Sequence, residues 1–440
     1  IAPGEQSVIK SITNWPELIA SRKFNGINPD DNTIVGHIVK YRKYKKEIDS
    51  EIKFLKNAFN RKKAAFQYSR AAQSDSGEID MSKLASYKFD DRIFKTVTRL
   101  ADAQNHGMLL FVDYSSSMAY NLSAVIDQVL ILSLFCRETQ IPFQVFGFTT
   151  PPAMAHERRN IDETDMNSNE VNMARLNLFE LLSSGMNKRA FESACSDLHH
   201  QMTAPKVPIE NRVASTTGFA YSAPCERLGA TPLNEALLGA HAIVNSFKRK
   251  HNVQKMNVVF LTDGFGGELK FGPRHSEFFD HPNYIAVKQE MQVNGRYVKT
   301  FKNSQKTMAV LIENLKITCN ATVIGIIISD DKRVSQRSLT DSVRYSSTFS
   351  DDYANDYTYQ PPFRVKTQVA NIEREHKGKT CVIIPGGFNY DAFFMINHKE
   401  LDRDAVGPIT GKTARSQFMQ SRSNKKSSRF VLSTFSELIA

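Results

Sequence analysis

The run Asp113-Tyr114-Ser115-Ser116-Ser117 sets one carboxylate and two hydroxyls at alternate positions, spaced D-x-S-x-S. None of the three is a thiolate or an imidazole. Such a set selects a hard cation, Mg²⁺ first and Mn²⁺ as its substitute, with several coordination positions left to water or a partner. The same residues have a plainer reading, with Asp113 capping the following helix and the serines in its first turn. Two later stretches offer similar groups. Leu228-Gly229-Ala230-Thr231-Pro232-Leu233-Asn234-Glu235-Ala236-Leu237 presents a loop threonine ahead of a proline at a helix start. Val258-Val259-Phe260-Leu261-Thr262-Asp263-Gly264 is an apolar run that ends on Asp-Gly.

These groups need a scaffold that brings them together, and the flanking pattern supplies one. Gly107-Met108-Leu109-Leu110-Phe111-Val112 is continuously apolar, as expected of a parallel strand covered on both faces. A tight strand-to-helix turn at its carboxyl end would point Asp113 and the serines into the crevice above the sheet. Residues 119–137 read as a strongly apolar helix, 144–150 as a strand, 231–250 as a helix and 256–261 as a strand. Residues 304–319 read as a helix, 321–328 as a third core strand, and 380–384 with 392–396 as a strand pair at the sheet edge. The expected fold is therefore α/β: a doubly wound, mainly parallel, Rossmann-like sheet with helical insertions and an N-terminal helical region. The strands at 107–112, 143–149, 256–261 and 322–328 should share one sheet, bringing Asp113 and Asp263 together.

D-x-S-x-S, then T-P-L-x-E-A-L, then L-T-D-G, in that order and at strand or helix ends, resembles von Willebrand factor A domains with a metal-ion-dependent adhesion site (MIDAS). The resemblance implies that Asp113, Ser115, Ser117, Thr231 and Asp263 form the metal site. The serines would ligate through their hydroxyls, the threonine directly or through water, and the aspartates mostly through water. A site with few direct carboxylates keeps positive charge on the ion, so an acidic side chain of a protein ligand can complete it. Glu78-Ile79-Asp80-Met81-Ser82-Lys83-Leu84-Ala85 and Gln144-Val145-Phe146-Gly147-Phe148-Thr149-Thr150 narrow the likeness. Both are similar to segments of the CobT subunit of aerobic cobaltochelatase, a type that also occurs in large tailed bacteriophages. The region around Ala174-Arg175-Leu176-Asn177 and Lys188-Arg189-Ala190-Phe191 resembles the CobT insertion. One departure stands out: CobT proteins often carry an acidic residue where this chain has Thr231. The resemblance implies a non-catalytic subunit that works with a MoxR-type or CobS-like AAA+ ATPase.

The rest of the chain bounds these readings. At 440 residues, 41% hydrophobic and 23% charged, it has the composition of a soluble globular protein. Residues 1–102 form the expected N-terminal region and 103–440 the A domain, with insertions near 151–228, 264–303 and 345–378, the last expected to loop out. A helical pattern from 34 to about 72 repeats Ile48, Ile52, Leu55 and Phe59 among many cations. It reads first as a helix packed on the main domain or a partner helix, and second as a basic helix for nucleic acid, without the interleaved aromatics of base stacking. Ala71 to Gly77 breaks that helix, 411–429 reads as a mobile Ser/Lys/Arg-rich stretch and 430–440 as a last helix. Cys136, Cys195, Cys225, Cys319 and Cys381 are scattered and odd in number, which suits free thiols in a reducing cytoplasm, that of the host if phage-encoded. No apolar run reaches a membrane span, no signal-peptide pattern opens the chain, and a start at Ile1 suits a trimmed or processed form.

The other chemistries are weak. His199-His200 lacks a partner at metal-ligand spacing and reads as solvated or core histidine. Gly386-Gly387 lacks the Lys-Ser/Thr of a phosphate loop, and no Walker motif occurs, so the chain is not expected to hydrolyse ATP. No Ser-His-Asp or Cys-His set is legible by spacing, and the chain is not expected to be an enzyme by itself. A formal charge of +11 permits an acidic partner, protein or nucleic acid. Three functions thus stay open: the ATPase-partnered metal-site subunit first, then a structural or adhesion component of a phage particle or other assembly, then nucleic-acid binding.

Overall fold

The computed structural model describes residues 5–24, 31–69, 72–79, 94–99, 105–150, 171–203, 226, 228–264, 266, 267, 269, 290–293, 296–299, 304–329, 340, 342, 343, 363–375, 381–384 and 386–397. In chain order the elements are α1 (Glu5–Lys10), α2 (Trp15–Phe24), α3 (Asp31–Ser69), β1 (Ala72–Ile79), β2 (Phe94–Arg99), β3 (His106–Asp113) and α4 (Leu122–Glu138). Then come β4 (Phe143–Thr149), β5 (Asn177–Ser183), α5 (Lys188–Thr203), α6 (Leu233–His251), β6 (Lys255–Thr262), β7 (Glu290–Val293) and β8 (Arg296–Lys299). The chain continues through α7 (Ser304–Cys319), β9 (Ala321–Ser329), α8 (Phe363–Glu375), β10 (Cys381–Ile384) and β11 (Ala392–Asn397).

Seven strands form one sheet in the order β10-β11-β9-β6-β3-β4-β5. The five inner strands run parallel, and β5 and β10 close the two edges antiparallel. This is the doubly wound α/β architecture expected from the sequence. From β3 the chain first moves outward through β4, then returns to lay β6 on the other side of β3. The carboxyl ends of β3 and β6 therefore flank the switch point where the strand order reverses, the crevice in which open α/β sheets bind ligands.

Strand alternation divides the interior into two layers. Met108, Leu110 and Val112 of β3 face a core shared with α2, α3, α4 and α5, while Leu109 and Phe111 face one shared with α6 and α7. The N-terminal helix α3 buries Tyr41, Tyr44, Ile48, Ile52, Leu55 and Phe59, a stripe at steps of three and four. It packs on α4 and α5, so its apolar face is covered within this chain.

Several details differ from the sequence reading. The stretch after α3 forms an antiparallel pair, β1 with β2, so the N-terminal region is not wholly helical. The helix after β3 begins at Leu122, preceded by a short 3-10 turn over Ser117–Tyr120. The insertion after β4 contributes a strand, β5, as well as a helix, and Thr13 extends that edge by bonding Leu178 and Glu180. The 345–378 stretch contains α8, which buries Val365, Val369 and Ile372 at steps of four and three. The 411–429 stretch and the last helix lie outside the described residues, as do Glu78-to-Ala85 positions beyond Ile79. Among the described residues no helix is long and apolar enough to cross a membrane.

Candidate metal centre

The site is built where β3 and β6 end side by side. Their register sets Val112 opposite Leu261, so the next residues, Asp113 and Thr262, meet across the pair. The Thr262 hydroxyl donates to Asp113 Oδ2 at 2.6 Å, a short charge-assisted bond, and accepts from the Gly264 N–H at 3.2 Å. The other Asp113 oxygen, Oδ1, accepts from the Ser115 N–H at 2.9 Å. That bond folds the backbone into a tight Asx turn and carries the two serine hydroxyls over the strand end. Ser115 Oγ and Ser117 Oγ stand 3.0 Å apart, and Ser117 Oγ donates to Asp263 Oδ1 at 2.9 Å. Asp113, Ser115, Ser117 and Asp263 are thus joined in one hydrogen-bonded set.

Thr231 comes from the loop that leads into α6. Its loop is held against the D-x-S-x-S turn by the Ser116 N–H donating to Gly229 O at 2.8 Å and the Gly229 N–H donating to Tyr114 O at 3.2 Å. Thr149 Oγ1, at the end of β4, donates to Tyr114 O at 2.8 Å and accepts from the Gly229 N–H at 3.0 Å. The approach is so close that a Cβ at residue 229 would collide with the Thr150 carbonyl oxygen and come within 2.9 Å of Thr149 Oγ1. Glycine is required there by space. Thr231 itself is half-buried and stands just ahead of Pro232, the N-cap of α6.

Burial governs the electrostatics. Asp113 is fully buried, and desolvation pushes its carboxyl up to about 7. The bond from Thr262 opposes that rise, the nearby Asp263 carboxylate adds to it, and the bonds from Ser115 oppose it. Burial and the neighbouring Asp263 carboxylate both disfavour charge on Asp113, and a divalent cation between the two would relieve that repulsion. The oxygen spacing fits as well. Adjacent ligands of an octahedral ion held at about 2.0–2.1 Å lie roughly 2.8–3.0 Å apart, against 3.0 Å for the serine pair and 2.9 Å for Ser117 with Asp263. Among the described residues no three His, Cys, Asp or Glu side chains gather as a metal site, so any site here relies on hydroxyls beside carboxylates.

The sequence reading did not single out Thr262, Thr149 or Gly229 as parts of the site. Thr262 stands in the L-T-D-G run and Gly229 in the loop before Thr231, but their contacts depend on which strands are neighbours. Away from the site, His199 is buried against Tyr44 with ring centroids 4.7 Å apart, and His200 stacks on His37 at 3.8 Å. Cys136, Cys195 and Cys319 are buried.

No family model matches the chain, and no curated protein matches it. Among solved structures it is similar to the pilus adhesin SpaC from Lactobacillus rhamnosus GG in its open conformation, at 14% identity and a TM-score of 0.32 over 62% of this chain and 30% of that one. It is also similar to proximal thread matrix protein 1 from the mussel byssus, at 15% identity and a TM-score of 0.25 over 54% of this chain and 40% of that one. The chain thus spans well under two thirds of the length of either.

Proposed function

We propose that this chain is a metal-dependent protein-binding subunit of the von Willebrand factor A type, with a MIDAS formed by Asp113, Ser115, Ser117, Thr231 and Asp263. One observation carries the reading: at the switch point of the sheet the Ser115, Ser117 and Asp263 oxygens stand at the spacing of octahedral ligands, and Asp113 joins them through the Ser115 N–H. Ser115 and Ser117 would hold Mg²⁺ or Mn²⁺ through their hydroxyls, with Thr231, Asp113 and Asp263 around it. Bound there, the cation would supply an unsaturated positive centre for a carboxylate of a protein ligand. The protein's own contribution is orientation: Thr262 and the Ser115 N–H fix the Asp113 carboxylate, and Gly229 lets the Thr231 loop close on the turn.

The partner class follows from the CobT-like segments of the sequence. A subunit with a ligand-accepting cation site and no nucleotide-binding motif suits pairing with a MoxR-type or CobS-like AAA+ ATPase, in remodelling or chelatase-like activity. The test is co-purification with such an ATPase from the same genome in Mg²⁺ and in EDTA. Association that requires Mg²⁺ and weakens in Asp113→Ala and Thr231→Ala is expected. Association indifferent to EDTA, or none, would overturn the proposal.

A further inference from the structure

The outer face of α3 carries a second feature that the metal centre does not use. Residues 40–46 read Lys-Tyr-Arg-Lys-Tyr-Lys-Lys. Tyr41 and Tyr44 are buried beneath the helix, and Lys40, Arg42, Lys43, Lys45 and Lys46 are all exposed. The start of α5 adds exposed Lys188 and Arg189. Glu192 of α5 joins the two helices: Arg42 Nε bonds its carboxylate at 2.7 Å. That bond holds the Glu192 carboxyl below its ordinary range; burial opposes it, and the charges of Arg42, Lys45 and Lys188 reinforce it. Arg42 and Lys45 of α3 and Lys188 of α5 thus meet around one acidic side chain, which joins the exposed cationic segments of the two helices into one surface.

Charge balance on the two helices leaves this surface strongly positive. Further along α3, Lys53 is paired with Asp49 at 2.6 Å, and Lys56 approaches Glu138 at 3.6 Å. Within 40–46 only Arg42 has a carboxylate partner among the described residues, and Glu47 is the nearest other acid in sequence. The two segments thus carry seven exposed cations against Glu192 and Glu47.

The chemistry of the patch selects its partner. A protein ligand is held chiefly by aromatic and apolar anchors in desolvated pockets, yet both tyrosines of this segment are turned inward. A single strand would need exposed rings for base stacking, and the same burial removes them. Phosphate backbone binding needs only mobile cations on a convex surface. We propose that the Lys40–Lys46 segment of α3, with Lys188 and Arg189 of α5, is a docking surface for the phosphate backbone of duplex nucleic acid, without base readout. It does not depend on the metal-site reading, since it lies on other residues and uses no metal ion.

Fluorescence anisotropy of the full chain with a labelled 25-base-pair duplex of arbitrary sequence, between 50 and 200 mM NaCl, tests it. Wild type should bind with a log–log salt slope steeper than about −3, as expected of several phosphate contacts at roughly 0.9 each. Lys43→Ala with Lys46→Ala should reduce that slope by about 2 and weaken binding roughly 60-fold near 0.1 M salt. Lys188→Ala with Arg189→Ala should act in the same direction, because the two helices share the surface. All four side chains are exposed, so these variants should unfold at the wild-type midpoint. Duplexes of unrelated sequence should bind alike, and EDTA should leave binding in place. No binding at 50 mM NaCl, slopes unchanged in both variants, or tighter binding of a single strand or a polyglutamate peptide would overturn the proposal.

Discussion

Replacing Thr262 by valine removes one hydroxyl and almost no volume, and the site should register the loss. Thr262 Oγ1 donates the 2.6 Å bond to Asp113 Oδ2, and Asp113 is fully buried, so no water replaces that donor. A hydrogen bond to a charged group is worth about 1.5–3 kcal/mol. It also opposes the burial that pushes Asp113 up to about 7. Without it the carboxyl should hold its proton more tightly and be less firmly oriented. Loss of a supporting bond to a ligand side chain commonly lowers metal affinity by about 10- to 100-fold. Calorimetric titration with Mn²⁺ at pH 6.5 and 8 should show Thr262→Val weaker by that factor, more so at pH 6.5, where the ion competes with a proton. Thr262→Ser should recover most of the affinity. A valine variant that binds Mn²⁺ like wild type at both pH values would refute the reasoning.

Two further outcomes follow from buried polar groups away from the crevice. His241 is buried, with Nδ1 2.9 Å from Leu237 O and Nε2 3.1 Å from Asn314 Nδ2, and burial pushes it down to about 4 from 6.5 against the backbone bonds to Leu237 and Leu238. The folded state then binds fewer protons than the unfolded one between these values, so stability should fall as pH drops through that window, by up to about 3 kcal/mol; urea titrations of wild type and His241→Leu should show a flatter acid limb in the variant. Tyr44 donates a 2.6 Å bond to the buried Asp127 carboxyl, tying α3 to α4; Tyr44→Phe should cost about 2 kcal/mol in the same assay, and a cost near zero would mean the bond adds nothing net.

The central strands were legible because burial on both faces leaves continuous apolar runs, and the site groups lay at their ends. Register then decides what sequence cannot. Thr262 is one polar β-branched residue at a strand terminus until β6 is known to lie beside β3, which makes it the partner of Asp113. The β5 strand was missed because Asn177-Leu-Phe-Glu-Leu-Leu-Ser is short and interrupted by Glu180, which bonds Gln144 across the edge at 3.1 Å. Its strand character comes from pairing with β4, from which residues 150–176 separate it in the chain. The α8 helix was hidden by composition: Val365, Val369 and Ile372 are spaced for one face, but polar residues surround them. Conversely, α3 was read correctly as a packed amphipathic helix because its apolar stripe persists for several turns.

The most direct test of the metal-centre account is anomalous diffraction from crystals grown with Mn²⁺, for wild type and Asp113→Ala. The account expects one peak in the wild type, within bonding distance of Ser115 Oγ and Ser117 Oγ and between Asp113, Asp263 and Thr231, and no peak there in the variant. A wild-type crystal saturated with Mn²⁺ that shows no ion in this crevice, or an equal peak in Asp113→Ala, would contradict it.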